Sequence, residues 1–127
     1  SFPTRRSSDL CIAALKTIEI IEKLLPSINK LEGLFRDELT SLINKYDFIG
    51  DVRGLGLAWA VEIVKDKKGR KPDPERRNKI LYNALKNGLV LLGCGRSVIR
   101  IIPPLIISEE EAKLGLELLK KAVEESA

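Results

Sequence analysis

The chain has 127 residues, which is enough for one domain whose core buries roughly two-thirds of the surface of the unfolded polypeptide. Apolar residues make up 44% and charged residues 31%, and the net charge of +4 comes without an aromatic-and-basic stripe, which argues against a nucleic-acid partner. The chain has no histidine and two cysteines, so it offers no Ser–His or Cys–His nucleophile, no typical zinc site and no disulfide framework.

The first part of the chain predicts two helices after a short leader. Ser1–Leu10 has neither a helical nor a strand period, and we expect it to be foreign to the domain or a short disordered terminus. In Cys11–Leu25 the apolar residues follow helical spacing, and Pro26 is expected to end that helix. Ser27 is the expected N-cap of a second amphipathic helix, so the domain is expected to cover residues 11–127.

The apolar period changes from helix to strand in Gly50–Val64. Four larger apolar residues alternate there with smaller or polar ones, as in a half-buried strand: Leu57, Trp59, Val61 and Ile63. Gly54 and Gly56 precede this strand at a spacing that indicates a bend or a close backbone approach. The polar segment Asp66–Pro74, rich in turn residues, is expected to form a solvated hairpin loop.

The second half predicts a helix, two short strands and a final helix. Pro74 begins the helix, with Asp73 as its N-cap and Asn87-Gly88 as its C-terminal signal. The expected strands are Leu89–Leu92, which would be buried, and Val98–Ile102, with a turn around Gly93-Cys94-Gly95 between them. Ser108 and Glu111 form a capping box at the start of the last helix. With few strands and many helices, the chain predicts an α+β fold, a small, largely antiparallel sheet covered by helices on one face.

One arginine interrupts the apolar strand before two prolines. Arg100 follows Val98-Ile99 and precedes Ile101-Ile102, and Pro103-Pro104 must end the strand because proline cannot donate to the ladder. A charge in such a run is costly unless it is paired or reaches water. Arg100 therefore either lies on a wet face or receives a negatively charged ligand. Glu62, in the preceding strand, is expected to pair with an arginine, Arg53 or Arg100, or to face water.

These segments together resemble one known family. Two segments separated by a helix resemble the C-terminal small domain of class III pyridoxal-phosphate aminotransferases: GDVRGLGLAWAVEIVKD and NGLVLLGCGRSVIRIIPPLIISEEE. This family includes ornithine, acetylornithine and 4-aminobutyrate aminotransferases, which are fold-type I enzymes. CIAALKTIEIIEK resembles the helix that leads into this domain from the large domain. Each motif alone is weak, but their combination in this order is specific.

The resemblance implies that the chain is a fragment of a larger enzyme. The parent would transfer an amino group between an amino acid and a 2-oxo acid, with pyridoxal phosphate bound by a large domain that is absent here. We therefore expect no catalytic, cofactor-binding or metal-binding residue in this chain. The arginine of the family's VIRxxPPL motif corresponds to Arg100, which would bind the substrate carboxylate. Arg96 departs from the family pattern and would add a cation near that site, with Glu62 as a second neighbour.

Other interpretations remain open at this point. An amino-acid racemase of the same family would use the same domain, and a free-standing α+β binding module would need no cofactor at all. A module that stacks RNA bases needs exposed aromatic residues, and the strands offer only Trp59. No apolar run is long enough for a membrane span, no signal-peptide pattern is present and the two cysteines form no disulfide framework, so we expect a cytoplasmic protein. The resemblance implies that the full-length parent is a homodimer.

Overall fold

A computed structural model describes residues 2–127 as three helices and one four-stranded sheet. In chain order the elements are α1 (Phe2–Lys45), β1 (Ile49–Leu55), β2 (Ala58–Ile63), α2 (Pro74–Lys86), β3 (Leu92–Cys94), β4 (Val98–Ile101) and α3 (Glu109–Glu124). The strand order is β1-β2-β4-β3, and every neighbouring pair is antiparallel. The helices pack on the face that carries Trp59, Val61 and Ile99, which are all buried. The predicted α+β fold is confirmed.

The first helix continues through Pro26, so the prediction that a helix ends there and a second begins at Ser27 is wrong. A proline inside a helix loses one backbone hydrogen bond and normally kinks or breaks it. The apolar stripe crosses Pro26 without a change of period, from Leu24 to Ile28 and Leu31, and the last two side chains are buried in the core. Packing of this stripe outweighs the lost hydrogen bond.

The first half of α1 is exposed to solvent. Three of the apolar residues that follow helical spacing there are each about half exposed or more: Leu15, Ile18 and Leu25. Residues 2–10 continue the same helix. That they are foreign to the domain, and that the domain covers residues 11–127, remain predictions.

The β1–β2 hairpin explains both glycines ahead of β2. Gly56 has a φ of 59° and, with Leu57, forms the two-residue turn between Leu55 and Ala58. A positive φ at the first turn position alone is typical of a type II′ turn, which favours glycine. Gly54 lies opposite Trp59, and a methyl group there would collide with the indole ring. The predicted alternation of β2 is confirmed, because Leu57, Trp59, Val61 and Ile63 are all buried.

The connections around α2 and α3 follow the predicted signals. The loop before α2 closes with one isolated bridge between Val64 and Pro72. Asp73 caps α2 by accepting a hydrogen bond from the backbone N–H of Arg76, with an N···O distance of 3.0 Å. Ser108 and Glu111 form the expected capping box at α3.

The strand predicted at Leu89–Leu92 is displaced along the chain. β3 begins at Leu92, and Gly93 and Cys94 belong to the strand rather than to the turn. Leu89 donates its backbone N–H to the carbonyl of Ala84 at 2.8 Å, which completes the C-terminal end of α2. That N–H is therefore not available for a strand ladder, and the extended segment starts later.

Candidate functional site

Strand β4 places Arg100 on the face of the sheet away from the helices. Ile99 and Ile101 are buried against the helices, and Arg100 between them is exposed because successive side chains of a strand point to opposite faces. The strand ends at Ile101, just before Pro103-Pro104. Arg100 thus lies on a wet face, near the end of a short strand.

Arg100 belongs to a row of four residues that crosses the sheet. From β1 to β3 the row contains Arg53, Ala60, Arg100 and Leu92, each directly opposite the next. Arg53 donates hydrogen bonds from Nη1 to Oδ2 of Asp51 at 2.8 Å and to Oε2 of Glu62 at 3.5 Å. The hydrogen bond to Asp51 raises the pKa of Arg53 above its usual value. Two carboxylates therefore neutralise Arg53.

The guanidinium of Arg100 has no such partner. In the part of the chain that the structure describes, no hydrogen bond or ion pair joins Arg100 to another side chain. A guanidinium presents five N–H donors in a planar fork that matches a carboxylate. Of the two arginines in this row, Arg100 is the one that is free to bind an external anion.

The structure places the two residues predicted near this site at different positions. Glu62 pairs with Arg53, which was one of the two pairing alternatives, and its side chain is 29% exposed. Arg96 lies in the turn between β3 and β4, four residues before Arg100. It precedes β4, whose first residue is Val98. Arg96 is therefore at the opposite end of β4.

An apolar cleft of about 650 Å³ adjoins Arg100. The segment Leu89–Leu92, the segment Arg100–Pro104 and one side of α3 form its walls. Among the described residues, its charged lining consists of Arg100 and Glu111. Glu111 accepts a hydrogen bond from the backbone N–H of Ser108 at 2.9 Å, which lowers the pKa of its carboxyl group. Arg100 thus lies at the border of this cleft, and the other charged residue there, Glu111, is held by the capping box.

The residues around Arg100 do not fit an aldehyde cofactor. Pyridoxal phosphate is held through a lysine amine, and no lysine lines the cleft or stands in the row of Arg100. Within residues 2–127, no group of three or more His, Cys, Asp or Glu side chains lies close enough to hold a metal ion. This face therefore offers a guanidinium to an anion, and its described residues offer no lysine amine to the aldehyde.

Sequence reasoning identified Arg100 but not its neighbours in the row. The sequence did not indicate that Asp51 pairs with Arg53 on the same strand. Nor did it indicate that Ala60 and Leu92 flank Arg100. The position of Ala60 opposite Arg53 could have been predicted from Gly56. A two-residue turn there fixes the register of the β1–β2 hairpin, and that register sets Arg53 opposite Ala60. The pairing of Leu92 with Arg100 has no comparable signal.

Comparison with known proteins gives one consistent family. The family model for class-III aminotransferases matches residues 8–123. The chain is 37% identical over 120 residues to a 4-aminobutyrate aminotransferase of Escherichia coli (strain K12), covering 91% of this chain and 28% of that protein. It is 41% identical over 118 residues to an alanine/serine racemase of Pyrococcus horikoshii, covering 90% of this chain and 24% of that protein.

A solved structure gives the same relation in three dimensions. The crystal structure of a PLP-bound aminotransferase mutant from Vibrio fluvialis superposes with a TM-score of 0.80 at 29% identity, covering 91% of this chain and 26% of the other. The chain thus spans about a quarter of the length of the relatives it matches. No helix in the described part of the chain has the length and apolar content needed to cross a membrane.

Proposed function

This chain belongs to the class-III aminotransferase family, and from that premise we propose that it is the part of a larger enzyme that binds the substrate carboxylate through Arg100. The parent enzyme transfers an amino group from an amino acid to a 2-oxo acid. The donor leaves as a 2-oxo acid and the acceptor leaves as an amino acid, so both partners of each half-reaction carry a carboxylate.

The observation that carries this proposal is the difference between two arginines in one row of the sheet. Arg53 is neutralised by Asp51 and Glu62, whereas Arg100 has no carboxylate partner among the described residues. A bidentate pair between a guanidinium and a carboxylate is stronger and better oriented than a pair with lysine. The β4 ladders on both sides and the prolines after the strand fix the backbone that presents Arg100.

The cofactor and the remaining catalytic groups belong to parts of the parent outside this chain. Pyridoxal phosphate supplies the electron sink for this chemistry when it is bound. The residues of this chain bind and orient the carboxylate end of the substrate, next to the apolar cleft that Arg100 borders. A cytoplasmic homodimer, as expected from the sequence, completes the proposed parent.

A racemase is the second candidate, because the chain is 41% identical to the alanine/serine racemase. A racemase substrate is also an amino acid, so the role of Arg100 would be the same. The two reactions differ in their products, since only the aminotransferase releases a 2-oxo acid. Chiral chromatography and 2-oxo acid detection on one reaction mixture separate the two candidates.

The exposed face of the sheet does not favour a free-standing module that stacks RNA bases, because the described strands place no aromatic residue on it. Trp59 is the aromatic residue of the described strands, and it is 4% exposed on the face covered by helices. Base stacking needs an aromatic ring that is open to the ligand.

The proposed role of Arg100 is tested by substrate comparison in the full-length enzyme. The wild type and Arg100→Ala are assayed with an amino acid and with a primary amine that lacks a carboxylate. A selective loss of activity on the amino acid supports the proposal, and an equal loss on both substrates removes it.

A further inference from the structure

A second arginine lies beneath the hairpin that carries Arg100. Arg77 is in the first turns of α2, and its side chain reaches the face of β3 that meets the helices. Its Nη1 donates a hydrogen bond to the carbonyl oxygen of Val98, with an N···O distance of 3.3 Å. Val98 is two residues before Arg100 in β4. This hydrogen bond therefore ties α2 to the strand that presents Arg100.

Gly93 leaves the space that the Arg77 side chain occupies. Gly93 lies opposite Ile99 in the β3–β4 ladder, so both residues share the face that meets the helices. A methyl group on Gly93 would collide with Nη1 of Arg77 and would stand 3.3 Å from its Nε. Gly93 is not among the glycines with positive φ, so this position requires space rather than an unusual backbone conformation.

The contact with Arg77 stabilises the β3–β4 hairpin, in which β3 is short and lies at the edge of the sheet. It has three residues, all of them exposed, and it supplies Leu92 as the neighbour of Arg100 on that side. A two-stranded pairing of this length is weakly stable by itself. The Nε of Arg77 also donates to Oδ1 of Asn78 at 2.8 Å, which orients the guanidinium.

We infer that Arg77 is a positioning residue that holds the β3–β4 hairpin, and with it Arg100, at the place where the substrate carboxylate binds. This inference rests on the proposed function of Arg100. Arg77 lies on the opposite face of the sheet from Arg100 and acts through the backbone of β4. It does not contact the substrate.

The test uses four variants of the full-length enzyme: Arg77→Lys, Gly93→Ala, the double variant, and Lys79→Ala as an exposed control on the same helix. For each, kcat and KM are measured with an amino acid and with an amine that lacks a carboxylate, together with Tm. Misplacement of a binding group by about 1 Å costs up to roughly a hundredfold. We expect the amino-acid KM to rise about ten- to a hundredfold in Arg77→Lys and in Gly93→Ala, with the amine kinetics and the Lys79→Ala control unchanged.

The double variant shows whether the two residues act through one contact. If the methyl group of Gly93→Ala acts by displacing Arg77, the double variant is no worse than the more impaired single variant. If the rises in amino-acid KM of the two single variants multiply in the double variant, the inference is overturned. It is also overturned if activity on the amino acid and on the amine falls equally and Tm is lowered. Should Gly93→Ala fail to fold, Arg77→Lys decides the question. If Arg100→Ala shows no selective loss on amino acids, the proposed function itself fails and this inference fails with it.

Discussion

Arg100 lies directly opposite Ala60 in the ladder between β4 and β2, and Ala60 lies opposite Arg53 on its other side. In this row a single methyl group therefore separates a guanidinium with two carboxylate partners from a guanidinium with none. Directly opposed side chains on one face of an antiparallel pair have Cβ atoms about 5 Å apart. A carboxylate introduced at position 60 would be within reach of Arg100.

Ala60→Glu is therefore expected to occupy Arg100 with an internal carboxylate that competes with the substrate. In the full-length enzyme, the KM for amino acids should rise roughly ten- to a hundredfold, at about 1.4 kcal/mol per tenfold. Ala60→Gln is the matched control, with nearly the same size and no charge. If both substitutions raise KM equally, the effect is steric and the introduced carboxylate does not compete for Arg100.

Two lysines hold one carboxylate between α1 and α3, and this contact gives a pH dependence. Glu109 bonds Lys30 at 2.6 Å and Lys113 at 2.8 Å, and these two ammonium groups, Lys113 first, lower the pKa of Glu109 to about 2. A lowered folded-state pKa means that the stabilisation is present above the ordinary carboxyl pKa and is lost as the pH falls toward 2.

Glu109→Gln should thus lower the Tm of the chain at pH 7, and the difference from the wild type should shrink as the pH falls from about 4.5 and be small by about pH 2. The effect is small because the pair is exposed and screened by salt. Thermal unfolding of both proteins across pH 2 to 7 measures it. A Tm difference that does not change with pH would show that the ion pairs do not cause it.

A buried hydrogen bond joins the last residues of the chain to α2. Asn83 donates from Nδ2 to Oγ of Ser126 at 2.9 Å, and both residues are buried. Ser126→Ala leaves the amide of Asn83 without its partner and should cost about 1–3 kcal/mol of unfolding free energy. Ser41→Ala removes an exposed hydroxyl bonded to Glu38 and should change stability by less than about 0.5 kcal/mol. Urea unfolding compares them, and similar losses in both variants would contradict the assignment.

The sequence predicts the fold well wherever the signal is local. Three predicted features depend only on neighbouring residues, and the structure has each of them. They are the apolar alternation of β2, the capping box at Ser108, and the start of α2 at Pro74 with its end before Gly88. The errors occur where tertiary contacts decide. Packing of Ile28 and Leu31 carries α1 through Pro26, and the bond from Leu89 to Ala84 moves the start of β3.

The candidate site shows the same division. A lone arginine in an apolar strand before two prolines is visible in the sequence, so Arg100 could be found. Its neighbours Leu92 and Arg77 come from other elements, and their approach depends on the register of a three-residue strand and on the space left by Gly93. Neither feature has a periodic signal in the sequence.

The isolated chain should have no catalytic activity. Among the described residues, no lysine lines the cleft next to Arg100, so this part of the chain offers no amine to the aldehyde of pyridoxal phosphate. The purified chain is mixed with pyridoxal phosphate and an amino donor, and 2-oxo acid production is followed against free cofactor. Turnover above that of the free cofactor would show that the chain contains a complete active site.

The role of Arg100 is tested most directly by comparing Arg100→Lys and Arg100→Ala in the full-length enzyme. In the proposed site, which the rest of the parent enzyme would shield from water, Arg100→Ala removes one partner of a guanidinium–carboxylate pair, a loss of roughly 2–5 kcal/mol. At about 1.4 kcal/mol per tenfold, kcat/KM for amino acids should fall by tens to thousands of fold. Arg100→Lys keeps the charge but loses the planar fork, so it should also reduce amino-acid activity.

The decisive measurement is the ratio of kcat/KM for an amino acid to kcat/KM for a primary amine without a carboxylate, in the wild type and both variants. We predict that this ratio falls at least about tenfold in Arg100→Ala, because the amine never used the guanidinium. An unchanged ratio, with both substrates reduced by the same factor, would contradict the assignment and make Arg100 a structural residue.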